Sequence, residues 1–325
     1  MQLSCAVRSR LTRPWSGAGR LLPAAAGQVE LADGRVPARP LVEAVLLMAG
    51  SLLLVLLVNA AARELTARYP VGEVLFCRFF GAACLLAILS GRALVPAIRT
   101  PRLKLHLLRA LLGAGGTLAL YAASQHLAFS DLMAIAYSSP IIVAILSWPL
   151  LGERVGGPRA GLILAGFAGI LLVTFPGRVD PWSFGALVMA LLNAGALIVT
   201  RRLGRTDSAA TIGLCFAVFG TFFTAPLLVF GCTFPEARDG TLFLALGGAA
   251  GLAIHLHAQA FRRAAAAILA PIDYFAVVIS PAFAWLFWAE SPSSSMLTGG
   301  AVIVTAGILQ LREAHREACQ PQIRL

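Results

Sequence analysis

Ten apolar stretches, each close to the length that a bilayer core requires, follow one another almost without pause from residue 41 to residue 311. Their expected bounds are 41–61, 71–90, 105–127, 130–151 and 159–175, then 182–200, 208–230, 241–261, 264–289 and 295–311. At 1.5 Å rise per residue, roughly 20 residues cross a ~30 Å hydrocarbon layer. None of the stretches alternates with the period of two that a membrane β-strand shows, so helices are the spanning option. Hydrophobic residues make up 58% of the chain and charged ones 13%, more apolar surface than a soluble domain of this length can bury. The expected fold is an all-α polytopic membrane protein of ten transmembrane helices, with connections too short for a soluble domain.

In a soluble chain, the formal charge of +11 would suggest nucleic acid. Its distribution points to a membrane instead. With the N-terminus inside, the cytoplasmic segments hold 20 Lys/Arg: six before the first span, Arg92, Arg99, Arg102, Lys104, Arg154, Arg159, Arg201, Arg202, Arg205, Arg262, Arg263 and three after the last. The other side holds Arg63, Arg68, Arg178 and Arg238, and Arg78 and Arg109 fall within spans. This positive-inside asymmetry implies an even span count and cytoplasmic termini. The six cysteines carry no CxxC spacing, so neither a disulfide framework nor a metal site is expected, and no cofactor. Residues 1–40, rich in Arg, Ala, Gly and Pro, read as a flexible cytoplasmic tail, with an organellar transit peptide the alternative. Residues 313–325 read as a second tail.

Two segments match at an offset near 137. Tyr137, Trp148 and Glu153 correspond to Tyr274, Trp285 and Glu290, and after a one-residue slip Gly161 and Gly169 correspond to Gly299 and Gly307. Each half, 41–176 and 182–312, then holds five spans. Five is odd, so the second copy enters the membrane inverted. Glu153 sits in a loop with Arg154 and Arg159, whereas the loop of Glu290 has no Lys or Arg, as inversion requires. Inverted repeats place a binding site between the halves near the bilayer midplane and expose it alternately to each side.

Ser130-Asp131 through Ser139-Pro140-Ile141, then Leu150-Leu151-Gly152-Glu153-Arg154 with Gly161, Gly166 and Gly169, resemble the EamA repeat of the drug/metabolite transporter superfamily. Arg78-Phe79 and Leu108-Arg109-Ala110-Leu111-Leu112-Gly113 are similar to its other recurring pieces. The resemblance covers residues 41–312 and is stronger in the first half; Trp288-Ala289-Glu290-Ser291 departs from the usual Leu-Gly-Glu-Arg. It implies a multi-pass carrier of small organic solutes in the bacterial cell inner membrane, as monomer or homodimer, with a pathway lined mainly by helices 1, 3, 4, 6, 8 and 9.

The polar residues inside the spans are the candidate site. Asp273 lies near the middle of the ninth span, where an ionised carboxylate costs about 2.5–3.5 kcal/mol on insertion scales. It must face water, find a partner or hold a proton. Pro271 removes a backbone donor just before it. In the eighth span His255 and Gln259 share a face, and His257 points about 200° away, so His257 is the histidine expected to couple with Asp273. Tyr121 and Gln125 share a face of span 3, with Thr117 a turn earlier. Tyr137, Ser138 and Ser139 precede Pro140, which frees a carbonyl near the centre of span 4. An aromatic ring beside freed polar groups suits a flat or mixed-polarity solute. Tyr274 follows Asp273, and Asn59 and Asn193 occupy equivalent helices of the two halves, as solute contacts or as interhelical hydrogen bonders. Asp131 is the partner expected for Arg78 in a structural ion pair, with snorkelling of Arg78 or direct solute binding the alternatives.

No HExxH or GxSxG and no second midplane aspartate support a membrane-embedded enzyme. The expected function is secondary transport of an amino-acid-like, cationic, zwitterionic or aromatic metabolite, for example one resembling S-adenosylmethionine or riboflavin. A drug/metabolite efflux pump is the alternative. Proton exchange through Asp273 and His257 and passive facilitated exchange both remain open, and the partners are the solute and the lipid bilayer.

Overall fold

The computed structural model describes residues 38–91, 100–139, 141–143, 145, 157–175, 181–233, 235–264, 269 and 272–319. Among them there is no β-strand. In chain order the helices are α1 (Ala38–Thr66), α2 (Val71–Ser90), α3 (Leu103–Ala123), α4 (Phe129–Ala136), α5 (Gly157–Thr174), α6 (Pro181–Leu203), α7 (Ala209–Thr224), α8 (Ala237–Arg263), α9 (Phe275–Trp288) and α10 (Ser294–Cys319). A 3₁₀ turn, Ala225–Phe230, continues α7. Six of these helices are long and apolar enough to cross a membrane. The apolar stretches of the other four, α4, α5, α9 and α10, are shorter. Leu46, Phe80, Ile88, Leu244 and Trp285 stay exposed on the bundle surface, the arrangement expected where lipid is the solvent. The expected tails fall largely outside the described residues, as do Glu153, Trp148, Pro140 and Pro271.

The expected spans 130–151 and 264–289 are interrupted. Helix α4 stops at Ala136, turns through Tyr137 and Ser138, and is helical again at Ser139 and Ile141. Ile272 and Asp273 are helical, a turn falls at Tyr274, and α9 begins at Phe275. Proline at position 140 has no N–H to offer the carbonyl of Ala136. Ser139 Oγ donates to that carbonyl instead, at 2.7 Å, and Ser138 Oγ donates to Ile135 O at 2.6 Å. The same device recurs within α9, where Ser280 Oγ donates to Val277 O, four residues ahead of Pro281, at 3.3 Å. In hydrocarbon a backbone acceptor must find an internal donor, which is why serines precede these prolines.

The most extensive helix pairings are α1 on α8, α3 on α6, α2 on α8, α3 on α7, α5 on α10, α4 on α9 and α2 on α7. Exchanging every helix with the one five places along carries this set of pairings into itself. Helix directions follow from the bonds at the bundle's two ends. At one end Arg68, beyond α1, pairs with Asp239 of α8 at 2.8 Å, and Gln125, beyond α3, donates to Arg63 O and Thr66 Oγ1 at 2.6 and 2.8 Å. At the other end Arg263 of α8 pairs with Glu43 of α1 at 3.5 Å, and His106 of α3 meets Asp207, beyond α6, at 2.6 Å. Helices α1 and α6 therefore run in opposite directions, and so do α3 and α8. Arg102, Lys104, Arg201, Arg202, Arg205, Arg262 and Arg263 gather at the second, arginine-rich end.

Close crossing of α2 and α8 requires glycine. A Cβ on Gly247 would lie 2.7 Å from Gly81 Cα and 3.0 Å from Cys77 O, and one on Gly251 would lie 3.0 Å from Ala82 O. Small residues at such a seam let backbones approach where lipid supplies no hydrophobic drive between helices.

Candidate functional site

The polar residues of the spans converge on a cavity of about 340 Å³ inside the bundle. Met48, Ser51, Leu52, Val55 and Asn59 of α1 form one wall, and Arg78 of α2 adds a guanidinium. Thr117 and Leu120 of α3, Asn193 and Leu197 of α6, and His257 of α8 close the sides. Ala136, Tyr137 and Ser139 at the break after α4, with Asp273 at the break before α9, complete it. The volume falls within the ~300–1,000 Å³ usual for small-molecule sites.

Six anticipated residues thus share one space: Asp273, His257, Tyr137, Ser139, Asn59 and Asn193. Asp273 makes no hydrogen bond or ion pair among the described residues. His257 stands open to the cavity, its ring tilted 4.8 Å from that of Phe261. His255 faces away and lies 3.4 Å from Gln259, as their four-residue spacing requires. Asn59 is 7% exposed and donates to Met133 Sδ at 3.7 Å, while its buried Oδ1 has no partner among the described residues.

The remaining four lie elsewhere. Ser138 is fully buried and spends its hydroxyl on Ile135 O. Tyr274 is buried, its ring filling the space beside Gly307 of α10, so it packs α9 against α10 rather than lining the cavity. Gln125 lies past the end of α3, at the bundle's surface. Tyr121 is 1% exposed and stands behind Arg78, whose Nη1 donates to the phenol oxygen at 2.7 Å. The expected ion pair of Arg78 with Asp131 does not form. Tyr121 takes the guanidinium, and Asp131 accepts from Ser293 Oγ at 3.4 Å.

A second cluster was not anticipated. Past the end of α9, Glu290 accepts from Arg63 at 2.6 and 3.2 Å and from the backbone N–H of Phe129 at 3.0 Å. The Arg63 guanidinium lies 4.5 Å from the Trp288 ring centroid, and Trp288 Nε1 donates to Glu64. With Gln125 on Arg63 O, the cluster ties together the ends of α1, α3, α4 and α9, four elements that border the cavity. The 227-residue separation of Arg63 and Glu290 hid it. At the opposite end, burial would raise the Asp207 carboxyl, but hydrogen bonds from His106 and Thr100 outweigh it and hold the group below the usual aspartate value.

A mostly apolar cavity carrying a few polar and charged side chains, set among apolar helices, is the arrangement expected of a membrane-embedded solute carrier. A sequence model of the EamA-like transporter family matches residues 42–175. A pseudopaline exporter of Pseudomonas aeruginosa is 30% identical over 275 residues, which span 81% of this chain and 96% of that protein. A riboflavin transporter of Brucella anthropi is 26% identical, over 79% and 94% of the two chains. An S-adenosylmethionine uptake transporter of Rickettsia bellii is 24% identical, over 77% and 88%. A crystal structure with 20% sequence identity superposes with a TM-score of 0.59, covering 84% of this chain and 98% of its own, and shares the fold. The chain belongs to the EamA-like transporter family, within the drug/metabolite transporter superfamily. It is a multi-pass membrane transporter and not an enzyme.

Proposed function

We propose that this protein is a secondary transporter that carries a small organic metabolite across the bacterial inner membrane by alternating access. Residues 41–176 and 182–312 form two inverted five-helix repeats in this reading. The exchange of helix pairings and the opposed directions of α1 and α6 support it. The arginine-rich end faces the cytoplasm, in keeping with the positive-inside rule. The Arg63–Glu290 cluster holds the opposite end closed, and the breaks at Tyr137 and Tyr274 bring polar backbone to the solute, as broken helices do in inverted-repeat carriers.

One observation carries the proposal: Asp273, without a protein partner among the described residues, lines the same cavity as His257. A carboxylate and an imidazole in a space that opens to one side at a time can take up and release a proton with the solute. The test is flux of labelled S-adenosylmethionine or riboflavin into proteoliposomes under an imposed pH gradient. Asp273→Asn is expected to abolish pH-driven flux, while solute exchange persists at higher solute concentration. Unchanged pH dependence in that variant rejects the coupling.

A further inference from the structure

We infer that Arg78 receives a carboxylate on the solute, so that the transported molecule is a zwitterion held by its anionic group at Arg78 and by its cationic group at Asp273. This rests on the cavity being the solute site, as proposed above, and goes beyond that proposal by assigning the one guanidinium that lines it among the described residues.

Arg78 sits part-way along an apolar helix, where an unpartnered guanidinium is costly. Tyr121, fixed by burial, accepts from Nη1 at 2.7 Å, and its ring centroid is 5.4 Å from the guanidinium carbon. A phenol is a neutral partner and uses one of five N–H donors. It aims the group without neutralising it. Among the described residues no carboxylate pairs with Arg78, since Asp131 is bonded to Ser293 and Asp273 forms no ion pair.

The cavity therefore holds a fixed cation and an acid that do not satisfy each other. A second acceptor-bearing side chain lines the same cavity. Asn59 is 7% exposed, its Oδ1 is without a partner among the described residues, and it lines the same space. The acceptors Asp273 and Asn59 suit an ammonium or sulfonium-bearing group, and the planar donors of Arg78 match a carboxylate. A solute with one charge of each sign pairs both walls at once and enters without net charge. A simple cation leaves the half-buried Arg78 without an anionic partner, and a simple anion leaves Asp273 without a cationic one; breaking such a match is where specificity comes from.

The experiment measures ligand-induced thermal stabilisation and affinity for the purified full-length protein. The probes are L-phenylalanine and L-methionine, each with its decarboxylated and N-acetylated counterparts, S-adenosylmethionine and its decarboxylated counterpart, which carry a sulfonium in addition, and riboflavin as a solute lacking both charges. The expected result is that the best zwitterion loses affinity about ten- to a hundredfold on decarboxylation, the loss of a charge-assisted contact. In Arg78→Gln the zwitterion and its amine should bind within about twofold of each other, and Arg78→Lys should restore part of the difference. Tyr121→Phe is the second variant should Arg78→Gln fail to fold. It frees the guanidinium from its support and should weaken the zwitterion while sparing the amine. Four results overturn the inference: a tightest ligand without a carboxylate, no binding by any zwitterion, a full carboxylate preference in Arg78→Gln, or one in Tyr121→Phe where Arg78→Gln does not fold. Proteoliposome flux separates the two readings. Riboflavin flux without zwitterion binding removes only this assignment, and zwitterion binding without flux removes the carrier reading and leaves the assignment standing.

Discussion

Replacing Glu290 by glutamine removes the anion that joins the ends of α1, α4 and α9. Glu290 accepts two hydrogen bonds from Arg63 and one from the N–H of Phe129, with side-chain exposures of 14% for Arg63 and 25% for Glu290. A hydrogen bond to a charged group contributes about 1.5–3 kcal/mol when sheltered, and a fully exposed ion pair about 0–1. At this partial burial the pair is worth about 2 kcal/mol. If the contact exists only while that end is closed, its loss shifts the closed-to-open equilibrium about thirtyfold, at 1.4 kcal/mol per factor of ten. The assay places a single cysteine at Val55, a cavity residue, in a background lacking Cys5, Cys77, Cys84, Cys215, Cys232 and Cys319. A membrane-impermeant maleimide is applied from the Glu290 side. The initial labelling rate should rise about thirtyfold in Glu290→Gln and less in Arg63→Lys, which keeps the charge but loses the planar two-point geometry. A rate within about twofold of the parent in Glu290→Gln refutes the reasoning that this cluster holds the cavity shut.

Asp207 ties α3 to the segment after α6, and its carboxyl is held below the ordinary aspartate value of about 3.9. Its contribution should therefore be complete above about pH 4 and be lost as pH falls through the lowered folded-state value. Melting curves of Asp207→Asn should show a flatter acid limb than the parent, and identical limbs would reject this role. Gly247→Val puts a Cβ 2.7 Å from Gly81 Cα and should cost about 1–3 kcal/mol by overpacking. Gly248→Val, which meets nothing within 4 Å, should melt like the parent, so equal melting of the two variants contradicts the α2–α8 seam.

Much of the site was legible because hydrocarbon is an unforgiving solvent for polar groups. Asp273, His257, Asn59 and Asn193 stood out as polar residues in apolar runs, and all four line the cavity. The helical spacing that separated His255 from His257 also separates them in space. Tyr274 misled because it is the repeat counterpart of Tyr137, yet the break before α9 turns its ring onto Gly307. Arg78 was equally visible as an intramembrane cation, but its nearest acceptor is on another helix, and no spacing in the chain points to Tyr121.

Residue order alone thus determined the solvent, the helical class, the family and the shortlist of buried polar groups, because a backbone crossing lipid must bond to itself and apolar length is written locally. Tertiary structure decided which of those groups meet. Arg78 reaches Tyr121, 43 positions away, and Arg63 reaches Glu290 across 227, since contacts between helices depend on crossing points and rotations that a one-dimensional pattern does not contain.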